Sequence, residues 1–257
     1  MATAGTALSS RGSRYVAPTA SVTVPSPEAG ITNGLSLDVP YLYMAGDRAL
    51  LARTAVAIVG SRKASTEGMR RAAKLARGLA EHDVVTMSGL AEGIDQAAHR
   101  AAIEARGKTI AVIGTPLEKA YPAAHAALQQ EIYRQHLLVS PFASGERTFP
   151  SSFPLRNRVM ARLSRATVIV EAGDTSGSLH QAAECVKIGR PLWIAKSVLE
   201  NKTLKWPERF LGKPGVHVLE RLDDLLAEVC AWAAAYCMPD MATELMLLMR
   251  RKIANAS

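Results

Sequence analysis

Ala55-Val56-Ala57-Ile58-Val59-Gly60-Ser61-Arg62-Lys63 decides how the chain is to be read. Five apolar residues follow one another without alternation, the mark of a strand buried on both faces of a sheet. A glycine then breaks the run, two cations follow, and residues 66–81 resume apolar positions at helical spacing. Strand, glycine-containing loop and helix make one βα unit, and such a unit cannot bury its strand alone.

Outward from it the pattern repeats. Short apolar runs recur at Val84–Met87, Thr109–Ile113, Leu137–Val139, Thr167–Val170 and Leu192–Ala195. Between them, residues 94–106, 123–135, 155–164 and 178–188 carry helical spacing. Six strands alternating with helices predict an α/β fold with a mainly parallel sheet. Val216–Leu219 and Leu222–Trp232 predict one more strand and helix to close the domain. Residues 1–35 are rich in Ala, Ser, Thr, Gly and Pro and read as a flexible tail; residues 36–235 read as the domain. Residues 236–257 read as a C-terminal extension, in which Met241–Ile253 is equally a basic helix, a partner-binding element or a frayed end.

Composition narrows the function classes. Lys and Arg outnumber Asp and Glu by 31 to 23 in 257 residues, a net charge of +8 that favours polyanionic partners. Aromatic residues make up only 5%, which argues for contacts to phosphates over extensive base stacking. No apolar run is long enough to span a membrane, and no signal peptide is visible, so a cytoplasmic protein is expected. Cys185, Cys230 and Cys237 show neither CxxC spacing nor a paired framework, which fits a reducing compartment.

In an open parallel sheet, ligands collect where strands end and loops lead into helix N-termini, whose free N–H groups attract anions. Gly60-Ser61-Arg62-Lys63 joins a close-approach glycine to a hydroxyl and two cations, though an ordinary βα turn with solvated charges reads the same way. Ser88-Gly89-Leu90-Ala91-Glu92-Gly93-Ile94-Asp95 offers a hydroxyl for an oxyanion, with Asp95 better suited to bracing the loop or capping a helix. Phe153 to Arg165 holds four arginines and no acid; as a helix it puts Arg158, Arg162 and Arg165 on one outward face and Val159, Met160 and Leu163 on another. A solvated basic face is the alternative there. Ser176-Gly177-Ser178 opens the next helix and is equally a common helix start. His180 and Glu184 share a helical face but belong to no metal motif and read as a surface pair; His99 reads as bonding a backbone carbonyl within helix packing. No metal site, cofactor or catalytic residue is expected.

In order, these segments resemble the DprA/Smf family of DNA-processing proteins from about Pro40 to Ala195. The resemblance rests on Tyr41-Leu42-Tyr43-Met44-Ala45-Gly46-Asp47, Ala57-Ile58-Val59-Gly60-Ser61-Arg62, Ser88 to Asp95 with Ala98-His99, and Thr109 to Gly114. It continues through Tyr121-Pro122, Phe153-Pro154-Leu155-Arg156-Asn157-Arg158 and Val170-Glu171-Ala172 with Ser176-Gly177-Ser178. It implies an extended Rossmann-like three-layer fold, a homodimer, single-stranded DNA bound in a basic pocket without catalysis, and help in loading a RecA-type recombinase during recombination or DNA uptake. Carried over by motif, Gly60, Ser61, Arg62, Ser88, Gly89, Arg156, Asn157, Arg158, Ser176 and Gly177 would line that pocket, with Lys63 added by proximity. The chain departs from the family at Thr115-Pro116, Ser140-Pro141 and Ala195-Lys196, and after Lys196 it lacks the usual Gly-Cys/Thr-Asn ending.

The competing expectation is a nucleotide-binding or nucleotide-hydrolysing Rossmann-like protein related to the phosphoribohydrolases. Their Gly-Gly-x-Gly-Thr-x-x-Glu element would fall on Gly177-Ser178-Leu179-His180-Gln181, where an amide replaces the carboxylate and cannot act as a general base.

Overall fold

A computed structural model describes residues 15–19, 21–25, 37 and 39–237. Among them the chain alternates strand and helix as β1 (Val22–Pro25), β2 (Tyr41–Gly46), β3 (Ala55–Gly60), α1 (Thr66–Glu81), β4 (Val85–Ser88), α2 (Ile94–Glu104), β5 (Thr109–Val112), α3 (Ala126–Gln135) and β6 (Leu137–Ser140). It continues through α4 (Ser152–Leu163), β7 (Ala166–Glu171), α5 (Ser178–Lys187), β8 (Leu192–Ala195), α6 (Lys196–Glu200), β9 (Val216–Leu219) and α7 (Leu222–Cys237).

The nine strands form one sheet in the order β1-β2-β6-β5-β4-β3-β7-β8-β9. Every pairing from β6 to β9 is parallel; β1 on β2 and β2 on β6 are antiparallel. Period-2 geometry sorts the apolar run of β3 between two cores. Ala55, Ala57 and Val59 pack with α4, α5 and α6, while Val56 and Ile58 pack with α1, α2 and α7. The three-layer, mainly parallel α/β architecture expected from the sequence is therefore what the chain adopts.

Two strands lie beyond the expected six and the closing β9: β1 and β2, which form the antiparallel flank of the sheet. β1 falls in the stretch expected to be a tail. Pro25 closes β1, an edge strand, the setting in which a sheet tolerates proline. Tyr15 also anchors: its hydroxyl donates to the Leu117 carbonyl at 2.7 Å, and Gln129 Nε2 donates to it at 3.0 Å. The C-terminal Met241–Ile253 segment lies outside the described residues.

α4 begins at Ser152, three residues ahead of the expected start, and takes Pro154 into its first turn, where no backbone N–H is required. The expected helix over 123–135 opens instead as a 3-10 turn, Ala123–His125, before α3. Among the described residues no helix is long and apolar enough to cross a membrane.

Strand order fixes where a ligand can sit. From β3 the chain steps through β4, β5 and β6 in one direction, then returns to place β7 on the other side of β3. The loops after β3 and β7 thus diverge to opposite faces and leave a crevice at the carboxyl ends of the strands.

Candidate functional site

A cavity of about 860 Å³ occupies that crevice. Gly60–Lys63 enter it from the β3–α1 loop, Ala91 and Asp95 from the β4–α2 loop, and Lys119 and Tyr121 from the loop after β5. Phe149, Phe153, Arg156 and Asn157 are among those contributed by α4 and the turn before it, and Ser176, Gly177 and His180 among those from the β7–α5 loop and the start of α5.

Glu171, at the end of β7, ties two of these loops together. Its carbonyl accepts from Ser61 N at 2.7 Å, and its carboxylate accepts from Ser65 N at 2.8 Å and from the Ser65 hydroxyl. Ser65 Oγ in turn caps α1 by accepting from Gly68 N at 2.9 Å. Gly60 must be glycine because a Cβ would lie 2.6 Å from the Glu171 carbonyl oxygen and 2.5 Å from Ile94. Gly93, at φ +74°, lets the β4–α2 loop close against the carbonyl oxygens of Ser61 and Arg62.

Arg156 forms the floor. It is 4% exposed, donates from Nη1 to the Val112 carbonyl at 3.0 Å, and lies 4.0 Å from the Asp95 carboxylate. Asp95 also accepts from the amides of Gly89 and Ala91 at 3.2 and 3.4 Å, so it braces its own loop. Burial pushes the Asp95 carboxyl above its ordinary range, against the pull of Arg156 and the two amides. Burial likewise lowers Arg156, opposed by Asp95 and reinforced by the nearby charge of Arg62. An arginine keeps its proton through such a shift, so the floor of the cavity carries a fixed positive charge.

The rim is cationic and aromatic. Arg62 and Lys63 are exposed, and the Arg62 guanidinium sits 5.2 Å from the centre of the Phe153 ring. Tyr121 stacks at a tilt against Phe153 with centroids 5.4 Å apart. Tyr121 and Phe149 leave 45% and 54% of their surface open, large for aromatic rings. Aromatic content is low over the whole chain, yet three rings converge here. Among the described residues, Asp95 is the one carboxylate that lines the cavity.

Of the residues expected in the pocket, Gly60, Ser61, Arg62, Lys63, Arg156, Asn157, Ser176 and Gly177 line the cavity, whereas Ser88, Gly89 and Arg158 do not. Ser88 is buried beneath it and donates to the Ile58 carbonyl at 2.6 Å, so its hydroxyl serves the sheet and not an oxyanion. Gly89 makes room: a Cβ there would fall 1.3 Å from Arg156 Nη1. Arg158 is two residues from Arg156 on α4, a separation that turns side chains to different faces of a helix. Asn157 donates from Nδ2 to the Gly177 carbonyl at 3.0 Å and so fixes the β7–α5 loop against α4.

Two further expectations, on Arg162 and on the His180–Glu184 pair, are corrected. Arg162 is not outward; it is 5% exposed, and its Nε donates to Glu184 Oε1 at 3.0 Å. Glu184 is accordingly not half of a surface pair with His180: it turns inward to Arg162, while His180 stays exposed at the cavity. His99 has the backbone partner expected of it, at Ser88, and meets a side chain as well. The Thr109 hydroxyl gives its proton to the Thr86 carbonyl at 2.8 Å and so accepts from His99 Nδ1 at 2.7 Å. Burial holds His99 neutral, with its pKa lowered to about 3. Gln181, where a hydrolase would need its carboxylate, is fully buried and donates to Thr167 Oγ1 at 3.0 Å, away from the cavity.

Lys119, Tyr121 and Phe149 are contributors that sequence reasoning missed. They sit on irregular loops, and only the Tyr121-Pro122 motif singled out any of the three. Among the described residues no cluster of three metal-ligating side chains is present.

The sequence profile of the family described as DNA recombination-mediator protein A matches residues 31–230. The chain is 40% identical over 193 residues to the DNA processing protein DprA of Streptococcus pneumoniae, covering 74% of this chain and 67% of that protein. It is 38% identical over 176 residues to a putative DNA processing protein DprA of Mycobacterium tuberculosis, covering 68% of this chain but only 45% of that one. The X-ray structure of the pneumococcal protein superposes with a TM-score of 0.73 at 35% identity, over 80% of this chain and 74% of that one. A DNA processing protein A from Helicobacter pylori, whose structure is described as showing its single-stranded DNA binding mode, superposes at 0.69 and 27% identity, over 80% of this chain and 94% of that one.

Proposed function

Because the chain belongs to the DNA recombination-mediator protein A family, we propose that it binds single-stranded DNA in the switch-point cavity and acts by presenting that strand, without a chemical step of its own, in recombination or DNA uptake. The observation that carries this reading is the charge and shape of the cavity. Arg62, Lys63 and Lys119 stand at its rim and Arg156 at its floor, while Asp95, the one lining carboxylate among the described residues, is held by loop amides.

Exposed rim cations meet phosphates with little desolvation, and the start of α5, from Ser178, turns the positive end of its helix dipole to the same cavity. Tyr121, Phe149 and Phe153 offer faces on which unpaired bases stack, which a duplex cannot supply. Stacking is tolerant of base identity, so sequence preference is weak. A homodimer would present two such cavities to one strand, and the ordered strand is then available to a RecA-type recombinase in the cytoplasm. Residues 36–235 form the binding domain in this reading, with 1–35 and 236–257 as flanking segments.

Fluorescence anisotropy of labelled oligothymidylate and of a matched duplex, across a salt series, tests it. The single strand is expected to bind more tightly, and Arg62→Ala/Lys63→Ala to lower the logarithmic salt slope by about 1.4, at about 0.7 per phosphate contact. Arg158→Ala, outside the cavity, is expected to leave the slope unchanged. A folded wild-type protein that binds neither form, or a slope insensitive to the rim pair, overturns the proposal.

A further inference from the structure

Beyond the cavity, residues 201–215 carry Lys202, Lys205, Arg209 and Lys213 against one acid, Glu208. All four cations are exposed, and among the described residues none of them has a carboxylate within ion-pairing distance. Surface cations are normally interleaved with acids, so an unneutralised run of this kind is a polyanion-binding feature.

The run is contiguous with the cavity. Asp174 lies between Gly173 and Thr175, both of which line the cavity, and its Oδ1 accepts from the backbone amides of Lys205 and Trp206 at 3.0 and 2.7 Å. The Trp206 indole donates to the Ala172 carbonyl at 2.8 Å. Trp206 and Phe210 are 1% and 3% exposed and join the core beneath. Arg209 and Lys213 both sit over the Phe210 ring, at 5.7 and 5.8 Å from its centre. The loop is therefore anchored at two aromatic residues and presents its charges from a fixed base, so little backbone ordering opposes binding.

We propose that Lys202, Lys205, Arg209 and Lys213 form a second phosphate track, along which a single strand leaving the cavity across the β7–α5 loop continues. The inference rests on the cavity reading above and extends the footprint of the same ligand. Single-stranded DNA is favoured over other polyanions because the track adjoins a rim whose aromatic faces suit unpaired bases. Strand length is the variable that separates the two regions. An oligonucleotide that only fills the cavity does not reach the track; a longer one does.

Three proteins test this: the wild type, Lys202→Ala/Lys205→Ala/Arg209→Ala/Lys213→Ala, and Arg62→Ala/Lys63→Ala. Each is titrated with hexathymidylate and with an oligothymidylate of about 20 nucleotides over a salt series. The four replaced side chains are exposed, so folding is retained, and thermal melting verifies it. The track variant is expected to bind the hexamer as wild type does, to bind the longer strand roughly tenfold or more weakly, and to show a salt slope lower by about 3. The rim variant is expected to lose affinity for both lengths. Wild-type affinity and slope for the longer strand in the track variant, with loss in the rim variant, would overturn the track and leave the cavity reading standing. Equal losses on both lengths in the track variant would show a diffuse charge effect and no track. Undiminished binding of both lengths by the rim variant would sink the cavity reading, and the track with it.

Discussion

Replacing Gly89 with alanine tests whether Arg156 is held as described. The new methyl carbon would lie 1.3 Å from Arg156 Nη1 and 2.3 Å from its Cζ, distances at which the guanidinium must leave. Gly89 does not have a positive φ, so alanine brings no backbone strain of its own. The open side is the cavity, and a guanidinium displaced into it gives up its bond to the Val112 carbonyl and its approach to Asp95. Losing a hydrogen bond from a charged group costs about 1.5–3 kcal/mol, and Asp95 is left buried with amide partners alone. With a urea m-value of about 2 kcal/mol/M, the unfolding midpoint falls by about 1 M. In an Arg156→Ala background the same methyl group meets no guanidinium, so Gly89→Ala there should cost no more than about 0.5 kcal/mol, and the cycle should return a coupling of about 2 kcal/mol. Gly177→Ala is the control, since a Cβ at that position meets nothing within 4 Å. Equal penalties for Gly89→Ala in both backgrounds would refute the assignment of Gly89 as the space for Arg156.

Other consequences can be measured in the same way. His99 is neutral in the fold, with a pKa lowered to about 3 from 6.5, whereas the unfolded chain takes up a proton below 6.5. Its contribution is complete above pH 6.5 and is lost as pH falls toward 3, by about 2 kcal/mol at pH 5. Urea titrations at pH 7 and pH 5 should show a smaller pH effect in His99→Gln by that amount; an identical pH effect in the two proteins would remove His99 from the account. Glu184→Gln leaves Arg162 buried without its carboxylate and should cost about 3 kcal/mol, while Arg162→Met/Glu184→Met recovers most of it; a double variant as unstable as the single one would contradict this. Tyr15→Phe removes the hydroxyl that joins Leu117 and Gln129, and should lower stability by about 1 kcal/mol in the same assay, with no change expected if the N-terminal arm is not anchored there.

The central strands were legible because each is buried on both faces. The apolar run Leu192–Ala195 coincides with β8, and the other five of the six core runs differ from their strands by a residue at one or both ends. β2 escapes such a pattern, since Tyr41 to Gly46 lie on an antiparallel flank with mixed burial, where apolar continuity gives no signal. β1 sits among prolines and hydroxyl residues, and its pairing is supplied by β2 and not by its own side chains. The site was legible as a set of loops but not as a set of directions. Motif order brought Arg156 and Arg158 together, yet a step of two residues on α4 separates them, and only one reaches the cavity. The Arg162–Glu184 pair joins α4 to α5 across 22 residues, so neither helix read alone could show that its charge turns inward.

The division between floor and rim has a physical logic. Arg156 and Asp95 are buried at a desolvation cost that shifts both groups against their charged forms, and what that cost secures is a floor whose charge and shape do not vary. Arg62, Lys63 and Lys119 lie at the rim, and the two of the first loop remain solvated, free to meet a phosphate with little loss of hydration. Glu171, Ser65 and Asn157 hold the intervening loops in register, so the strand meets a cavity already formed. Changes at the rim should therefore move the salt dependence with little effect on unfolding, whereas changes at the floor should move unfolding first and affinity through the altered shape. A single residue that moved both slopes equally would mean that the two layers are not separable, and that the cavity is assembled by the DNA and not before it.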